Sequence, residues 1–249
     1  MHRSQGDIDL LNNYDFFIPN RHQVKYGGQG EGIEEWGLEN DNRIFETAWE
    51  ERYKYEASII SRVIDTNKYS KILELGCGPG KLADTIQDIN PSSLHYDLID
   101  KPNAEKQNKK HKFKCNKFFT KDLNNGFDTE GLEDTYDLII ANDFLEHIAN
   151  ITDCLVSCYH LGHKDSKMFV SVPNWRMGHS FQYRGLFDYD NWIYTMGVHG
   201  WEVEMVYSSN LTCNHSPKIS SESTMPDELL QSWNWYFLAS KKKNKNKSK

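Results

Sequence analysis

The stretch "KILELGCGPGKLADTI", residues 71–86, decides the fold class. It begins as an apolar run, passes through Gly76, Gly78 and Gly80, and continues as a helix-like pattern. A glycine loop between a strand and a helix lies at the carboxyl edge of a parallel sheet, where open α/β sheets bind ligands. The stretch therefore predicts a ligand site, and the residues around it narrow the choice of ligand.

Strand-like and helix-like segments alternate on both sides of this loop. The strand-like runs after it are "SLHYDLID", "KFKCNKFF", "YDLIIAND" and "KMFVSVPN", with helical or polar stretches between them. This alternation predicts an α/β fold with a mostly parallel sheet and helices on both faces. Two late runs, "GWEVEMVYS" and "SWNWYFLASK", predict an antiparallel pair at one edge, with a short helix "MPDELLQ" between them.

The pattern divides the chain into three parts. Residues 1–40 are polar and rich in glycine, and predict an irregular arm that serves as a lid. Residues 41–240 predict one domain, which opens with a helix over 41–64 capped by Asp41. Residues 241–249, "KKKNKNKSK", predict a disordered basic tail.

Charge and composition exclude several classes of protein. The net charge is −7, and removing the six lysines of the tail leaves −13 on residues 1–240, so nucleic-acid binding is disfavoured. No run approaches the roughly 20 apolar residues of a membrane helix, and the first residues lack the apolar core of a signal peptide. Five scattered cysteines without a Cys-x-x-Cys pair indicate neither disulfides nor a metal site. We therefore expect a cytoplasmic protein.

The spacing of the loop argues against phosphate ligands. The dinucleotide fingerprint needs a third glycine where this chain has Lys81, and the phosphate loop needs a hydroxyl where it has Leu82. Glu74, two residues before the first glycine, would repel phosphate. An acid beside a glycine turn suits a ligand with a cationic group.

The segment "ILELGCGPG" resembles motif I of the class I methyltransferases, which use S-adenosylmethionine and release S-adenosylhomocysteine. The resemblance implies a Rossmann-like sheet of seven strands in the order 3-2-1-4-5-7-6, with strand 7 antiparallel. It also implies that Glu74 contacts the methionyl ammonium through backbone or water. The cofactor-binding loop would consist of Gly76, Cys77, Gly78 and Gly80, which pass under the cofactor.

Two further acids stand in register with this motif. Asp100 ends the second strand and is expected to accept the ribose hydroxyls, with Asp97 as the alternative. After the third strand, Asp122 is expected to accept from the adenine amino group, and the amide of Leu123 to read the ring. The alternative for Asp122 is a turn residue.

The segment "ANDFLEHI", residues 141–148, resembles the "LEH" segment of the small-molecule branch, which includes ubiquinone-type O-methyltransferases. The resemblance implies that Asn142 and Asp143 face the methionine end and the methyl group, and that Glu146 and His147 face the substrate. His147 is a candidate general base, and Asp143 and Glu146 are the other candidate catalytic residues. The alternatives are that Glu146 and His147 shape a turn, or that they hold a divalent metal.

The stretch after Asn174 is the most aromatic part of the chain. Trp175, His179 and Tyr183 are predicted to contact the substrate, as an apolar lid or as a platform for a planar or sugar ring. Core packing is the alternative for several aromatic residues of this stretch, which also includes Phe187, Tyr189, Trp192 and Tyr194. The stretch resembles methyltransferases associated with polysaccharide synthesis, but it lacks their His-x-Arg-aromatic-aromatic-Thr run.

The expected function is methyl transfer from S-adenosylmethionine to an oxygen or nitrogen of a small-molecule or glycan-type acceptor. The alternatives are a regulatory partner protein that binds the cofactor without turnover, and an RNA methyltransferase. An NAD-dependent oxidoreductase is disfavoured by Lys81.

Overall fold

The computed structural model shows an open α/β sheet with helices on both faces. The residues that it describes are 47–90, 94–123, 127–132, 135–148, 150–174, 189–208, 214–215 and 234–242. The predicted arm and the "MPDELLQ" helix lie outside these ranges.

The strands form a single mixed sheet. Their bounds are β1 Lys71–Leu75, β2 His95–Asp100, β3 Lys117–Thr120, β4 Tyr136–Asn142, β5 Gly162–Pro173, β6 Trp201–Ser208, β7 Asn214–His215 and β8 Asn234–Lys241. The sheet order is β3-β2-β1-β4-β5-β8-β6-β7. β8 is antiparallel to both β5 and β6, so it occupies the place predicted for strand 7. The predicted seven-stranded order is confirmed, and β7 is an unpredicted two-residue strand at the outer edge.

The helices connect the strands. Their bounds are α1 Thr47–Asn67, α2 Lys81–Ile89, α3 Pro102–His111, α4 Ile151–Leu161 and α5 Tyr189–Val198, with a 3-10 turn at Leu145–His147. Local sequence explains several of the ends. Pro102 opens α3, where its missing N–H costs nothing. The side chain of Asn150 caps α4 by accepting from the N–H of Asp153 at 3.1 Å.

Two apolar cores cover the two faces of the sheet. The core on one face contains residues of α1 and α2, and the core on the other contains residues of α4 and α5. In β1, Ile72 faces the first core while Leu73 and Leu75 face the second, and all three are fully buried. Burial on both sides is what a central parallel strand requires.

Two details differ from the prediction. The sequence pattern predicts a substrate-facing aromatic segment after Asn174, whereas the structure has helix α5 over Tyr189–Val198. Its Tyr189 and Trp192 are buried in the second core, so the core-packing alternative is correct for these two. The predicted start of the tail also falls inside β8, since the strand includes Lys241, and the N–H of Lys242 donates to Gly200 O at 2.8 Å. Within the described ranges, no helix is both long and apolar enough to cross a membrane.

Candidate active site

The glycine loop lies at the carboxyl edge of the sheet, between β1 and α2. Because β1 pairs in parallel with β2 and β4, the residues that follow these three strands lie side by side. The predicted cofactor and catalytic residues therefore meet at one edge, as open α/β folds require.

The first glycine allows a close contact with the turn after β4. Gly76 has φ +61°, and a Cβ placed on it would lie 2.1 Å from Phe144 Cδ2. Gly78 has φ +53°, but a Cβ there would meet no atom within 4 Å. The two glycines therefore differ, because the first makes room for a protein side chain while the second borders open space.

The remaining loop residues hold the turn together. The N–H of Cys77 donates to Ile99 O at 3.3 Å, and the N–H of Gly80 donates to Cys77 O at 3.0 Å. Asn108 Nδ2 donates to Pro79 O at 2.8 Å. Burial raises the pKa of the Cys77 thiol well above its usual value, which disfavours the reactive thiolate form.

Asp100 joins the tip of β2 to the glycine loop. Its carboxylate accepts from the N–H of Gly78 at 2.7 Å and from the N–H of Lys101 at 2.6 Å. Burial raises the pKa of Asp100 to about 6, although these two N–H donors lower it. The alternative ribose acceptor, Asp97, is 2% exposed and accepts from Tyr136 Oη at 2.7 Å, so it belongs to the core.

Asp122 and Leu123 follow β3 beside Asp100. The N–H of Lys121 donates to Asp100 O at 3.0 Å, which ties the start of this segment to the tip of β2. Asp122 is half-exposed and lies 3.7 Å from the ammonium of Lys101, and Leu123 is buried. This places both residues at the sheet edge, as the sequence predicted.

Glu74 is buried at 2% exposure. Because alternate residues of a strand share a face, it lies on the α1 face with Ile72. Its carboxyl accepts from Tyr96 Oη at 2.8 Å. Burial raises the pKa of Glu74 to about 8, although the bond from Tyr96 lowers it, so the carboxyl is mostly protonated at neutral pH.

The side chains of Asn142 and Asp143 are bonded to other parts of the protein. Asn142 Nδ2 donates to Glu56 Oε2 at 3.0 Å. The Asp143 carboxylate forms an ion pair with Arg52 and accepts from Ser171 Oγ and, at 2.6 Å, from Asn234 Nδ2. Asp143 is therefore held in place by its neighbours.

Glu146 and His147 lie in the 3-10 turn after β4. Glu146 is fully buried, and its contact with a substrate stays a prediction. Its burial, with the nearby charge of Asp143, raises the pKa of Glu146 well above its ordinary range. His147 is partly exposed, and its Nε2 lies 3.8 Å from Glu146 Oε1, too far for a hydrogen bond.

Arg52 and Glu56 were not predicted to belong to the site. They lie one helical turn apart on α1, and Arg52 Nε donates to Glu56 Oε1 at 2.7 Å. Glu56 is fully buried in line with the apolar Ile60 and Val63. The sequence signal for this pair is that two charged residues continue the apolar stripe of a helix. Because a buried charge needs a partner, such residues are expected to form ion pairs inside the protein.

The predicted substrate residues Trp175, His179 and Tyr183 lie outside the described residues. Among the residues that are described, no group of three or more His, Cys, Asp or Glu could hold a metal ion.

Three features of this edge fit S-adenosylmethionine. Open space borders Gly78, where the loop can pass under a ligand. Each carboxylate oxygen of Asp100 accepts one N–H and retains a lone pair for a ribose hydroxyl. Asn142 Oδ1 is buried and has no hydrogen-bond partner among the described residues, so it can accept from an ammonium group.

Comparison with known structures supports the same fold. The N-methyltransferase NodS from Bradyrhizobium japonicum, in complex with S-adenosyl-L-homocysteine, is 15% identical with a TM-score of 0.56, covering 84% of this chain and 96% of its own. A TehB-like S-adenosylmethionine-dependent methyltransferase from Corynebacterium glutamicum is 17% identical with a TM-score of 0.52, covering 90% and 100%. An S-adenosylmethionine-dependent methyltransferase from Clostridium acetobutylicum is 11% identical with a TM-score of 0.54, covering 77% and 92%.

Sequence comparison gives the family. No significant match is found among curated protein sequences. Residues 48–212, more than half of the chain, match the sequence profile of a methyltransferase domain family. The chain therefore belongs to the methyltransferase domain family, and it has the fold of methyltransferases that use S-adenosylmethionine.

Proposed function

We propose that this enzyme methylates an oxygen or nitrogen atom of a small-molecule or glycan-type acceptor. The observation that carries the proposal is the carboxyl edge of the sheet, where Asp100 bonds the glycine loop and Gly78 borders open space. The buried turn after β4 lies next to this cradle, because Phe144 packs against Gly76. Cofactor and acceptor would therefore meet between the loop and the turn.

The cofactor would be held by residues of several strand ends. Asp100 would accept from the ribose hydroxyls, Asp122 from the adenine amino group, and the amide of Leu123 would contact the ring. Glu74 and Asn142 Oδ1 would bind the methionyl ammonium, and the loop from Gly76 to Gly80 would pass beneath the cofactor. When bound, the cofactor supplies a methyl group activated by a positively charged sulfur.

The catalytic work of the chain itself would be orientation and proton removal. Holding an acceptor in line with the methyl group is worth on the order of 7–11 kcal/mol. His147, partly exposed on the turn after β4, is the candidate to take the proton from an acceptor oxygen. Asp143 is engaged by Arg52, Ser171 and Asn234, so we assign it to holding the turn rather than to proton transfer.

The charge of the chain favours a small acceptor over RNA. Without the six lysines of residues 241–249, the formal net charge of residues 1–240 is −13. A polyanion such as RNA is repelled by this surplus of acidic groups, whereas a neutral or cationic acceptor is not. The aromatic stretch after Asn174 supports an acceptor with a ring.

The experiment is a transfer assay with isotope-labelled S-adenosylmethionine. The protein would be incubated separately with a metabolite extract, with oligosaccharides and with total RNA, and labelled products identified by mass spectrometry. The proposal expects label in a small molecule or a glycan, and its loss in His147→Asn if the acceptor atom is oxygen. Label in RNA alone would contradict it, and cofactor binding without label in any fraction would favour a regulatory partner.

A further inference from the structure

Helix α1 reaches the active-site edge through one side chain. The Arg52 guanidinium uses two different nitrogens, because Nε donates to Glu56 and Nη2 forms the ion pair with Asp143. Burial alone lowers the pKa of Arg52, but the charges of Asp143 and Glu56 outweigh it and raise that pKa above its usual value. The side chain is 22% exposed, so this ion pair is only partly screened by water.

Glu56, the partner of Arg52 on α1, is itself held by two further hydrogen bonds. Glu56 Oε2 accepts from Asn142 Nδ2 at 3.0 Å, and Glu56 Oε1 accepts from Tyr236 Oη at 3.3 Å. Glu56 is fully buried, so its position is fixed by α1, β4 and β8 together. Arg52 is thereby held between a rigid anchor and the turn after β4.

Asp143 stands at an unfavourable backbone position. Its φ is +47°, a left-handed conformation that residues other than glycine rarely adopt. Its N–H donates to Ser171 O at 3.0 Å, and its carboxylate is held by Arg52, Ser171 and Asn234. These contacts compensate for the strain and fix the direction in which the chain leaves β4.

The next residue transmits that direction to the glycine loop. Phe144 follows the left-handed residue, and its ring fills the space where a Cβ on Gly76 would stand. A rotation of the turn would therefore move the ring against the loop or away from it. The contacts form a continuous path from Arg52 through Asp143 and Phe144 to Gly76.

We propose that Arg52 is a positioning residue for the cofactor site. It acts through the left-handed turn at Asp143, which sets the Phe144 ring against the glycine loop, and it need not touch the cofactor itself. This inference rests on the proposed function, because the loop is taken to hold the cofactor. It adds a determinant on α1, outside every motif that the sequence indicated.

The test is calorimetric titration of the full chain with S-adenosylhomocysteine. Removing a residue of such a path changes ligand affinity by about twofold to thirtyfold without contact to the ligand. We expect Arg52→Gln to bind S-adenosylhomocysteine weaker by that amount. Arg52→Lys should bind nearly as weakly, because one ammonium cannot reproduce the planar fork that bridges two carboxylates. The matched control is Lys54→Gln on the same helix, because Lys54 is exposed and, among the described residues, pairs with Glu50 and Glu51.

A double-mutant cycle separates a path through the turn from direct contact. Phe144→Ala removes the ring that connects the turn to the glycine loop. In that background, adding Arg52→Gln should weaken S-adenosylhomocysteine binding by less than about twofold. An equal loss in both backgrounds, unchanged affinity in Arg52→Gln, or full recovery in Arg52→Lys would each overturn the proposal. If Arg52→Gln does not fold, Ser171→Ala takes its place in the same cycle, with the same outcomes. Failure of the wild-type chain to bind S-adenosylhomocysteine would instead contradict the proposed function.

Discussion

At the scale of single residues, the charge state of Glu74 changes the argument about the ligand. From the sequence, its negative charge was the reason to reject phosphate. In the folded protein, burial raises its pKa to about 8, so near neutral pH the carboxyl is mostly neutral and bonded to Tyr96. A cationic ligand group favours the ionised form, whereas a phosphate does not. The site therefore still favours a cationic ligand, but Glu74 becomes negatively charged only when such a ligand binds.

The pKa of Glu74 predicts how stability changes with pH. The folded-state pKa, about 8, lies above the ordinary value of 4.5, so the folded state binds the proton more tightly than the unfolded chain does. Without ligand, the free energy of unfolding should therefore fall as pH rises from about 4.5 to 8, by up to about 1.4 kcal/mol per pH unit from this group.

Glu74→Gln removes this titration. Urea unfolding at pH 5.5 and pH 8.5 should show the stability of Glu74→Gln rising relative to wild type at the higher pH. An equal difference at both pH values would mean that Glu74 has an ordinary pKa in the folded state.

Asp100 gives a second prediction at this scale. Asp100→Ala removes the proposed ribose acceptor and the bond to the Gly78 N–H, so S-adenosylhomocysteine should bind about tenfold weaker or more, about 1.4 kcal/mol. Calorimetric titration measures the loss. Asp88→Ala is the matched control, because Asp88 is an exposed acid on α2 paired with Lys114. Unchanged affinity in Asp100→Ala would place the ribose elsewhere.

At the scale of elements, Gly76 and Gly78 belong to one sequence motif but have different structural roles. Gly76 accommodates the Phe144 ring, whereas Gly78 borders open space. Gly76→Ala should destabilise the fold by about 2 kcal/mol or more, from the left-handed backbone and from the overlap. Gly78→Ala should cost about 1–2 kcal/mol from the backbone alone, and its methyl group should occupy cofactor space.

Urea unfolding and titration with S-adenosylhomocysteine check this pair together. We expect the larger loss of stability in Gly76→Ala. We also expect folded Gly78→Ala to bind weakly. Normal cofactor affinity in Gly78→Ala would show that the open space serves something else.

The same scale shows what the sequence could and could not predict. The strands were predictable because each is a short apolar run after a turn signal, and their ends carried Glu74, Asp100 and Asp122. α5 was not, although its buried Tyr189, Trp192, Ile193 and Met196 follow helical spacing. Aromatic residues such as Tyr189 and Trp192 are also typical of a substrate platform, so the pattern alone does not identify the helix. The Arg52–Asp143 pair spans 91 positions of sequence, and no local pattern predicts a contact of that range.

At the scale of the whole molecule, a single sheet separates two cores. β8 contributes to both, since Trp235 and Phe237 pack on one face while Tyr236 and Leu238 pack on the other. The late insertion of β8 between β5 and β6 therefore joins the C-terminal part of the chain to the centre of the fold.

Trp235→Ala tests whether the packing of β8 stabilises the fold. Trp235 is fully buried, with its ring centroid 5.9 Å from that of Tyr189, so its truncation should lower the free energy of unfolding by about 3–5 kcal/mol. Urea unfolding followed by circular dichroism measures the change. Tyr194→Ala, at a 69% exposed position of α5, is the control and should change stability by less than about 0.5 kcal/mol. Similar losses in the two variants would argue against a core built on β8.

A pair of calorimetric titrations of the wild-type chain, one with S-adenosylhomocysteine and one with NAD, tests which ligand the glycine loop holds. We predict saturable one-to-one binding of S-adenosylhomocysteine and no binding heat with NAD. Binding of NAD without binding of S-adenosylhomocysteine would contradict it, because the glycine loop, Asp100 and Glu74 would then serve a dinucleotide rather than a cationic nucleoside.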